Sequence, residues 1–226
     1  MTPMKIKVDA VMFDLDGTIL DSIHIYYQII ETVFKRLDLT LPSRDKLRDA
    51  AKNGDFEWGQ VFPKKTPEER DRLIEKTREI IAEIYPNLFK TQAKLIPGAK
   101  KIVEIILQTG IKVGIVTSTP RQNMAVKLHP LVESGINDLM EIIITADDAP
   151  RKKPAADPLL EGSKRLGIPP QYCMYVGDAR TDIQAGKTAG MKTVGVLTGF
   201  DDRQTLSRET PDAVINSIAD LEDILV

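Results

Sequence analysis

The sequence predicts a doubly wound α/β protein: a parallel sheet with a small all-helical domain inserted after the first strand. Short, nearly continuous apolar runs rich in Val and Ile recur along the chain. Runs of that kind suit strands buried on both faces of a parallel sheet. Amphipathic helical patterns separate them, so strand and helix alternate from residue 95 to the end. One interval breaks the alternation: about a hundred residues divide the first strand from the second, where one crossover needs a dozen or so.

Taken in order, the first strand is Val8-Asp9-Ala10-Val11-Met12-Phe13. Residues 21–37 form an amphipathic helix with Ile23, Tyr26, Ile30, Val33, Phe34 and Leu37 on its apolar side. A further helix starts at Thr66-Pro67-Glu68-Glu69, where Thr66 and Glu69 have capping-box spacing and Pro67 sits in the first turn. Leu73, Thr77, Ile80, Ile81 and Ile84 continue its apolar side. Residues 21–92 are therefore expected as a helical domain, with 1–20 and 93–226 forming the sheet domain. The helix of Ala99, Ile102, Val103 and Ile106 ends at Gly110, where a left-handed cap belongs. Strands follow at Lys112–Thr117, Glu141–Thr145, Tyr172–Gly177 and Lys192–Val196, with a weak one at Ala213–Ile215. Asp157 is expected to cap the helix Leu159–Leu166, with Pro158 in its first turn and Gly167 closing it.

Composition narrows the function. The 226 residues are 42% hydrophobic and 28% charged, a globular balance. Lys and Arg total 31 against 33 Asp and Glu, a formal charge of -2, which argues against a dedicated nucleic-acid binder. No apolar run approaches the roughly 20 residues of a membrane span. The N-terminus meets acidic residues too early for a signal peptide, and Cys173 alone cannot form an intramolecular disulfide. These features predict a cytoplasmic protein, monomer or homodimer, without membrane or nucleic-acid partners.

The chemistry-bearing residues fall at strand ends, where ligands of open α/β sheets bind. The first strand runs into Asp14-Leu15-Asp16-Gly17-Thr18. Carboxylates at i and i+2 can act as a pair, one attacking and one moving a proton, although an isolated Asp-x-Asp-Gly also makes an ordinary turn. The second strand ends in Thr117-Ser118, able to hold phosphate oxygens or merely to cap a helix. Arg151-Lys152-Lys153-Pro154 precedes the Asp157 helix, and Arg151 and Lys152 read as solvated charge. The strand ending at Val176 delivers Gly177-Asp178-Ala179-Arg180-Thr181-Asp182. Four complementary polar clusters at four strand ends point to one site.

With DLDGT at 14–18, Thr117, Lys153-Pro154, GDARTD at 177–182 and the helical insertion, nearly the whole chain resembles the haloacid dehalogenase superfamily, in its helical-cap phosphatase branch. The resemblance implies an active site between sheet and cap, with the cap closing over a small phosphate substrate. Asp14 would be the nucleophile that becomes an aspartyl-phosphate, and Asp16 the acid and then the base. Thr117 would grip the phosphoryl group, helped by Gly17, Thr18, Ser118 and backbone N–H groups of Asp16, Gly17 and Ser118. Lys153 would neutralise nucleophile and phosphate. Asp14, Asp178, Asp182 and the Asp16 backbone carbonyl would hold Mg²⁺, with Asp182 acting directly or through water. Intact Asp16 rejects dehalogenation, because the dehalogenases lack that residue. Gly177 stands where sugar phosphomutases often carry Glu, which favours hydrolysis. The compact cap and the GVLTGF stretch at 195–200 resemble phosphoglycolate phosphatases. The alternatives are a sugar phosphomutase of the β-phosphoglucomutase type, a pyrophosphatase, or a non-catalytic module that binds a phosphorylated ligand.

Several residues take plainer readings. His24 reads as a partly buried structural histidine, with a substrate role as its alternative; His129 reads as a helix-end residue. Trp58 and Phe56, in Asn53–Gln60, are expected to pack within the helical domain, with specificity as their alternative role. Gly199-Phe200 is expected to loop near the site, and Cys173 to be a small core residue.

Overall fold

The computed structural model describes residues 5–51, 56–63 and 66–225. Asn53, Gly54 and Asp55 of the Asn53–Gln60 stretch, and the first four residues of the N-terminal reading, lie outside them. The chain begins with β1 (Ala10–Phe13) and β2 (Leu20–Asp21), followed by helices α1 (Ile23–Arg36), α2 (Arg44–Ala50), α3 (Trp58–Val61) and α4 (Pro67–Gln92). Next come β3 (Lys94–Leu95), α5 (Ala99–Gln108), β4 (Lys112–Val116), α6 (Arg121–Lys127), α7 (His129–Ser134) and β5 (Ile142–Ile144). The remainder is α8 (Asp157–Leu166), β6 (Cys173–Gly177), α9 (Arg180–Thr188), β7 (Lys192–Val196), α10 (Arg203–Arg208) and β8 (Ala213–Ile215). Two compact units result, Met1–Asp21 with Lys94–Val226, and Ser22–Ala93.

The first unit is built on a six-stranded parallel sheet in the order β5-β4-β1-β6-β7-β8. Its strands are apolar throughout because helices cover both faces: Val11, Met12, Phe13, Ile115, Val116 and Val176 are wholly buried. The chain winds outward from β1 to β4 and β5, then returns to the other side of β1 for β6. That reversal makes β1 the switch point, beside which α/β ligand sites form. Register does the rest. Phe13 pairs with Ile115 on one side and Val176 on the other, so Asp14, Thr117 and Asp178 emerge from three adjacent strands.

Asp148, just beyond β5, fastens this end of the sheet to its helices. Its carboxylate accepts from the Thr145 N–H at 2.9 Å and hydroxyl at 2.6 Å, from Arg121 of α6 at 2.7 Å and from Arg165 of α8 at 3.0 Å. Burial opposes the charge, but the Thr145 hydrogen bonds and the two guanidinium groups outweigh it and hold the carboxyl well below its usual range.

The helical unit packs Ile30, Phe34, Leu47, Ala50, Val61 and Phe62 into one cluster, with Trp58 and Phe56 against it. The Trp58 ring lies 6.5 Å from that of Phe34, 6.0 Å from Phe62 and 4.6 Å from Phe56, so packing is its role here. Helix α4 opens as its spacing predicts: the Thr66 hydroxyl accepts from the Glu69 N–H at 3.2 Å, and the Glu69 carboxylate from the Thr66 N–H at 3.0 Å.

The differences from expectation are local. Asp157 is the first residue of α8 rather than its cap, because both its carboxylate oxygens accept from Arg151, at 3.0 and 2.8 Å. Helix α1 also buries Ile25 and Ile29, which the expected stripe omitted, and His24 is exposed, correcting its reading as a partly buried residue. Cys173 is core, its thiol pushed up to about 11 by burial.

The depressed Asp148 carboxyl gives a stability signature. The folded state binds fewer protons there than the unfolded chain, so its stabilisation is complete above the unfolded carboxylate range and fades as pH falls below it. Asp148→Asn should cost about 1–3 kcal/mol near neutrality. That lowers Tm by about 2–4 °C per kcal/mol. The gap from wild type should close as thermal melts are taken below about pH 4.

Candidate active site

Three strand ends and two loops converge on four carboxylates and two ammonium groups. Asp14 follows β1, its N–H donating to the Val176 carbonyl of β6 at 2.8 Å. Lys153, from the loop before α8, is 5% exposed and donates all three ways: to Asp14 Oδ1 at 2.7 Å, Asp182 Oδ1 at 2.6 Å and the Tyr175 hydroxyl at 2.9 Å. Tyr175 passes its own proton to the Val116 carbonyl at 2.7 Å, which turns its oxygen toward the ammonium. Lys152, one residue earlier, is exposed. Of the two lysines, it is Lys153 that is buried against Asp14.

Asp182 sits in the first turn of α9, and its second oxygen accepts from the Ala179 N–H at 3.0 Å. Asp178 follows β6. Its Oδ2 accepts from the Phe200 N–H at 2.8 Å and its Oδ1 from the Thr18 hydroxyl at 3.4 Å. The Gly199-Phe200 loop reaches the site as expected, and Arg180 clamps it there by binding the Asp201 carboxylate through the backbone N–H and the guanidinium, at 2.7 to 3.1 Å. Only glycine fits at 199: a Cβ there would lie 1.8 Å from Asp178 Oδ2.

Asp16 faces another way. Its Oδ2 accepts from Lys127 Nζ and, at 3.3 Å, from the Thr119 hydroxyl. Lys127 also donates to Thr119 Oγ1 at 2.8 Å, and the Thr117 hydroxyl donates to Thr119 at 3.1 Å. Thr117 is thus joined to Asp16 through Thr119, while Asp14 belongs to the Lys153 group.

Burial pushes the Asp14 carboxyl up to about 7, aided by Asp182 and opposed by Lys153. Asp178 is raised well above the carboxylate range, again by burial first and then by Asp182 and Asp14. Burial also works against charge on Lys153, but Asp14 and Asp182 outweigh it and keep that amine protonated.

Carboxylate oxygens of Asp14, Asp178 and Asp182 lie within 4.8 Å of one another, all buried. With all four ionised, the carboxylates facing two ammonium groups leave two negative charges, which one divalent cation would balance. An all-oxygen donor set without His or Cys suits a hard ion. The residues therefore fit a bound metal. The Asp16 carboxylate, committed to Lys127 and Thr119, is outside the clustered oxygens.

Of the residues expected at the phosphate, the Gly17 N–H donates to the Leu20 carbonyl at 2.8 Å, and Thr18 is fully buried with its hydroxyl on Asp178. Ser118 is half-buried beside Thr117. Tyr175 and Lys127 went unread in the sequence. Lys127 had a signal: with Met124 and Leu131 it continues a buried helical stripe at spacing three and four, where a lysine is out of place.

The fold and site define a hydrolase of the doubly wound α/β class, with a helical insertion after its first strand. Residues 11–196 match the family model described as haloacid dehalogenase-like hydrolase, and the chain belongs to that family. It is 28% identical to the phosphoglycolate phosphatase of Nitrosococcus oceani, over 96% of each chain. To the phosphoglycolate phosphatase of Escherichia coli K12 it is 29% identical, over 95% of this chain and 91% of that protein. Among solved structures, a hydrolase from Pseudomonas syringae superposes with a TM-score of 0.72 at 26% identity, covering 95% of this chain and 96% of the other. No helix among the described residues is long and apolar enough to cross a membrane.

The contact at Gly199 makes a test of the metal cluster. Gly199→Ala must displace the Asp178 carboxylate, and should weaken divalent-cation binding by about 10–100-fold in a calorimetric titration while far-UV circular dichroism stays unchanged.

Proposed function

We propose that the protein is a Mg²⁺-dependent phosphatase acting on a small phosphate monoester, with phosphoglycolate the first candidate, through a phosphoryl group carried on Asp14. The observation that carries this reading is the division between two carboxylates two residues apart. Asp14 lies with Lys153 in the acidic cluster, whereas Asp16 is held apart by Lys127 and Thr119. That division supports a reading in which one attacks and the other moves a proton.

In the first step an Asp14 oxygen attacks phosphorus and the ester P–O bond breaks. The leaving oxygen keeps the bonding electrons and takes a proton from Asp16. In the second, water attacks the aspartyl-phosphate, gives its proton to Asp16, and the bond between phosphorus and Asp14 breaks to release inorganic phosphate. Lys153 neutralises the nucleophile and a phosphoryl oxygen, and the Thr117 hydroxyl turns from Thr119 to donate to another. When bound by Asp14, Asp178, the Asp16 backbone carbonyl and Asp182, directly or through water, Mg²⁺ supplies the remaining positive charge against which nucleophile and phosphate approach.

Gly177 supports hydrolysis over mutase chemistry: a Cβ there would meet the Asp182 side chain at 2.4 Å, leaving no room for Glu before Asp178. Phosphoglycolate is favoured by relatives of that name aligned over nearly the whole chain.

A screen of phosphate esters with Mg²⁺, ranked by kcat/KM, should place phosphoglycolate at or near the top, with one free phosphate released per dephosphorylated product. Stoichiometric return of phosphate to a second hydroxyl would instead identify a mutase. Asp14→Asn should be inactive and carry no phosphoryl group in acid-quenched mass spectra; a well-folded Asp14→Asn that turns over normally sinks the mechanism. Asp16→Ala should lose about 10²–10⁴-fold in turnover. EDTA should abolish activity and added Mg²⁺ restore it.

A further inference from the structure

We propose that Lys127 and Thr119 are positioning residues for proton transfer, holding the Asp16 carboxylate in the orientation that serves the leaving group. The proposal rests on the phosphatase reading above and concerns residues outside the DLDGT, Lys-Pro and GDARTD motifs.

The hydrogen-bond directions in this cluster follow from the donors available. An ammonium can only donate, so Thr119 Oγ1 accepts from Lys127 at 2.8 Å, and its own proton goes to Asp16 Oδ2 at 3.3 Å. Lys127 also donates to that same Asp16 oxygen. Two donors from one helix and the loop before it thus converge on Oδ2 and fix the rotation of the carboxylate.

Lys127 is 2% exposed and stands on the stripe by which α6 and α7 pack, between Met124 and Leu131. A methionine or leucine there would extend the apolar face, and a buried ammonium costs far more than either. Packing alone does not account for the lysine; its contacts with Asp16 and Thr119 do. The attachment of α6 to the β5 loop through Arg121 and Asp148 fixes where the ammonium ends.

Leaving groups separate positioning from general support. An alkoxide leaves poorly without a proton, whereas an aryloxide such as p-nitrophenolate leaves well without one. The constant kcat/KM reports the steps through release of the alcohol or phenol, before water attacks Asp14-bound phosphate. Lys127→Met should therefore lower kcat/KM for a simple alkyl phosphate by about 10²-fold or more, and for p-nitrophenyl phosphate by less than about 5-fold, the pattern of Asp16→Ala. Thr119→Val should show the same direction with a smaller loss, and carries the test if Lys127→Met does not fold by circular dichroism. Mg²⁺ affinity should be unchanged in both.

Equal losses on the two substrates, or none, would overturn the proposal and leave the phosphatase reading intact. A wild-type enzyme that released phosphate from neither ester would remove the phosphatase reading itself, and the role for Lys127 with it.

Discussion

Crowding of like charge is the condition on which this site depends. Two carboxylates about 4 Å apart repel by roughly 4 kcal/mol even at an effective dielectric near 20. Asp14, Asp178 and Asp182 meet within 4.8 Å where water is excluded. The Asp14 and Asp178 carboxyls are raised by burial first, and the neighbouring carboxylates add to that rise. Lys153 offsets part of it by bridging Asp14 and Asp182, and it stays protonated because those two neighbours are present. The residual negative charge suits a divalent cation, and on the proposed reading such a cation would admit a phosphate dianion that the carboxylates alone would repel.

A parallel sheet suits the task because it places the cost where the backbone can carry it. Strand register brings Asp14 and Asp178 to the ends of β1 and β6, whose ladders fix both Cα positions before any side chain is arranged. Asp182 gains the N-terminal end of α9, where backbone N–H groups favour an anion. Tyr175, two residues inside the end of β6, spends its hydroxyl on Lys153 and Val116. The charged and polar groups thus find their partners on other elements. No single strand or loop holds the arrangement alone.

The strands were legible because their apolar runs are local facts. The helical insertion was legible from an overlong crossover and from the Thr66–Glu69 spacing. Asp14, Lys153, Asp178 and Asp182 could be read because each follows a strand or precedes a helix in a motif, and the structure gathers them. What stayed hidden depends on distance along the chain. Asp16 and Lys127 are 111 positions apart, and Lys153 and Tyr175 are 22. A lysine late in a short helix and a tyrosine inside an aliphatic strand look ordinary until the partner is known. The same limit applies to the Thr18 hydroxyl, whose partner Asp178 lies 160 positions away.

Asp14 and Asp16 show how far identical side chains can be driven apart. They share a chemical type and a two-residue separation, and nothing in DLDGT distinguishes them physically. The difference is imposed from outside. Asp14 is buried among carboxylates and bound to an ammonium that also holds Asp182, so its oxygens belong to the charge-balanced cluster. Asp16 meets a separate ammonium and a threonine hydroxyl, with the other carboxylates turned elsewhere. If one lysine served both, any shift that favoured attack by the first would disturb the second. Two lysines, delivered by α6 and by the loop before α8, let the two carboxylates be set independently, as the proposed division between nucleophile and proton carrier requires.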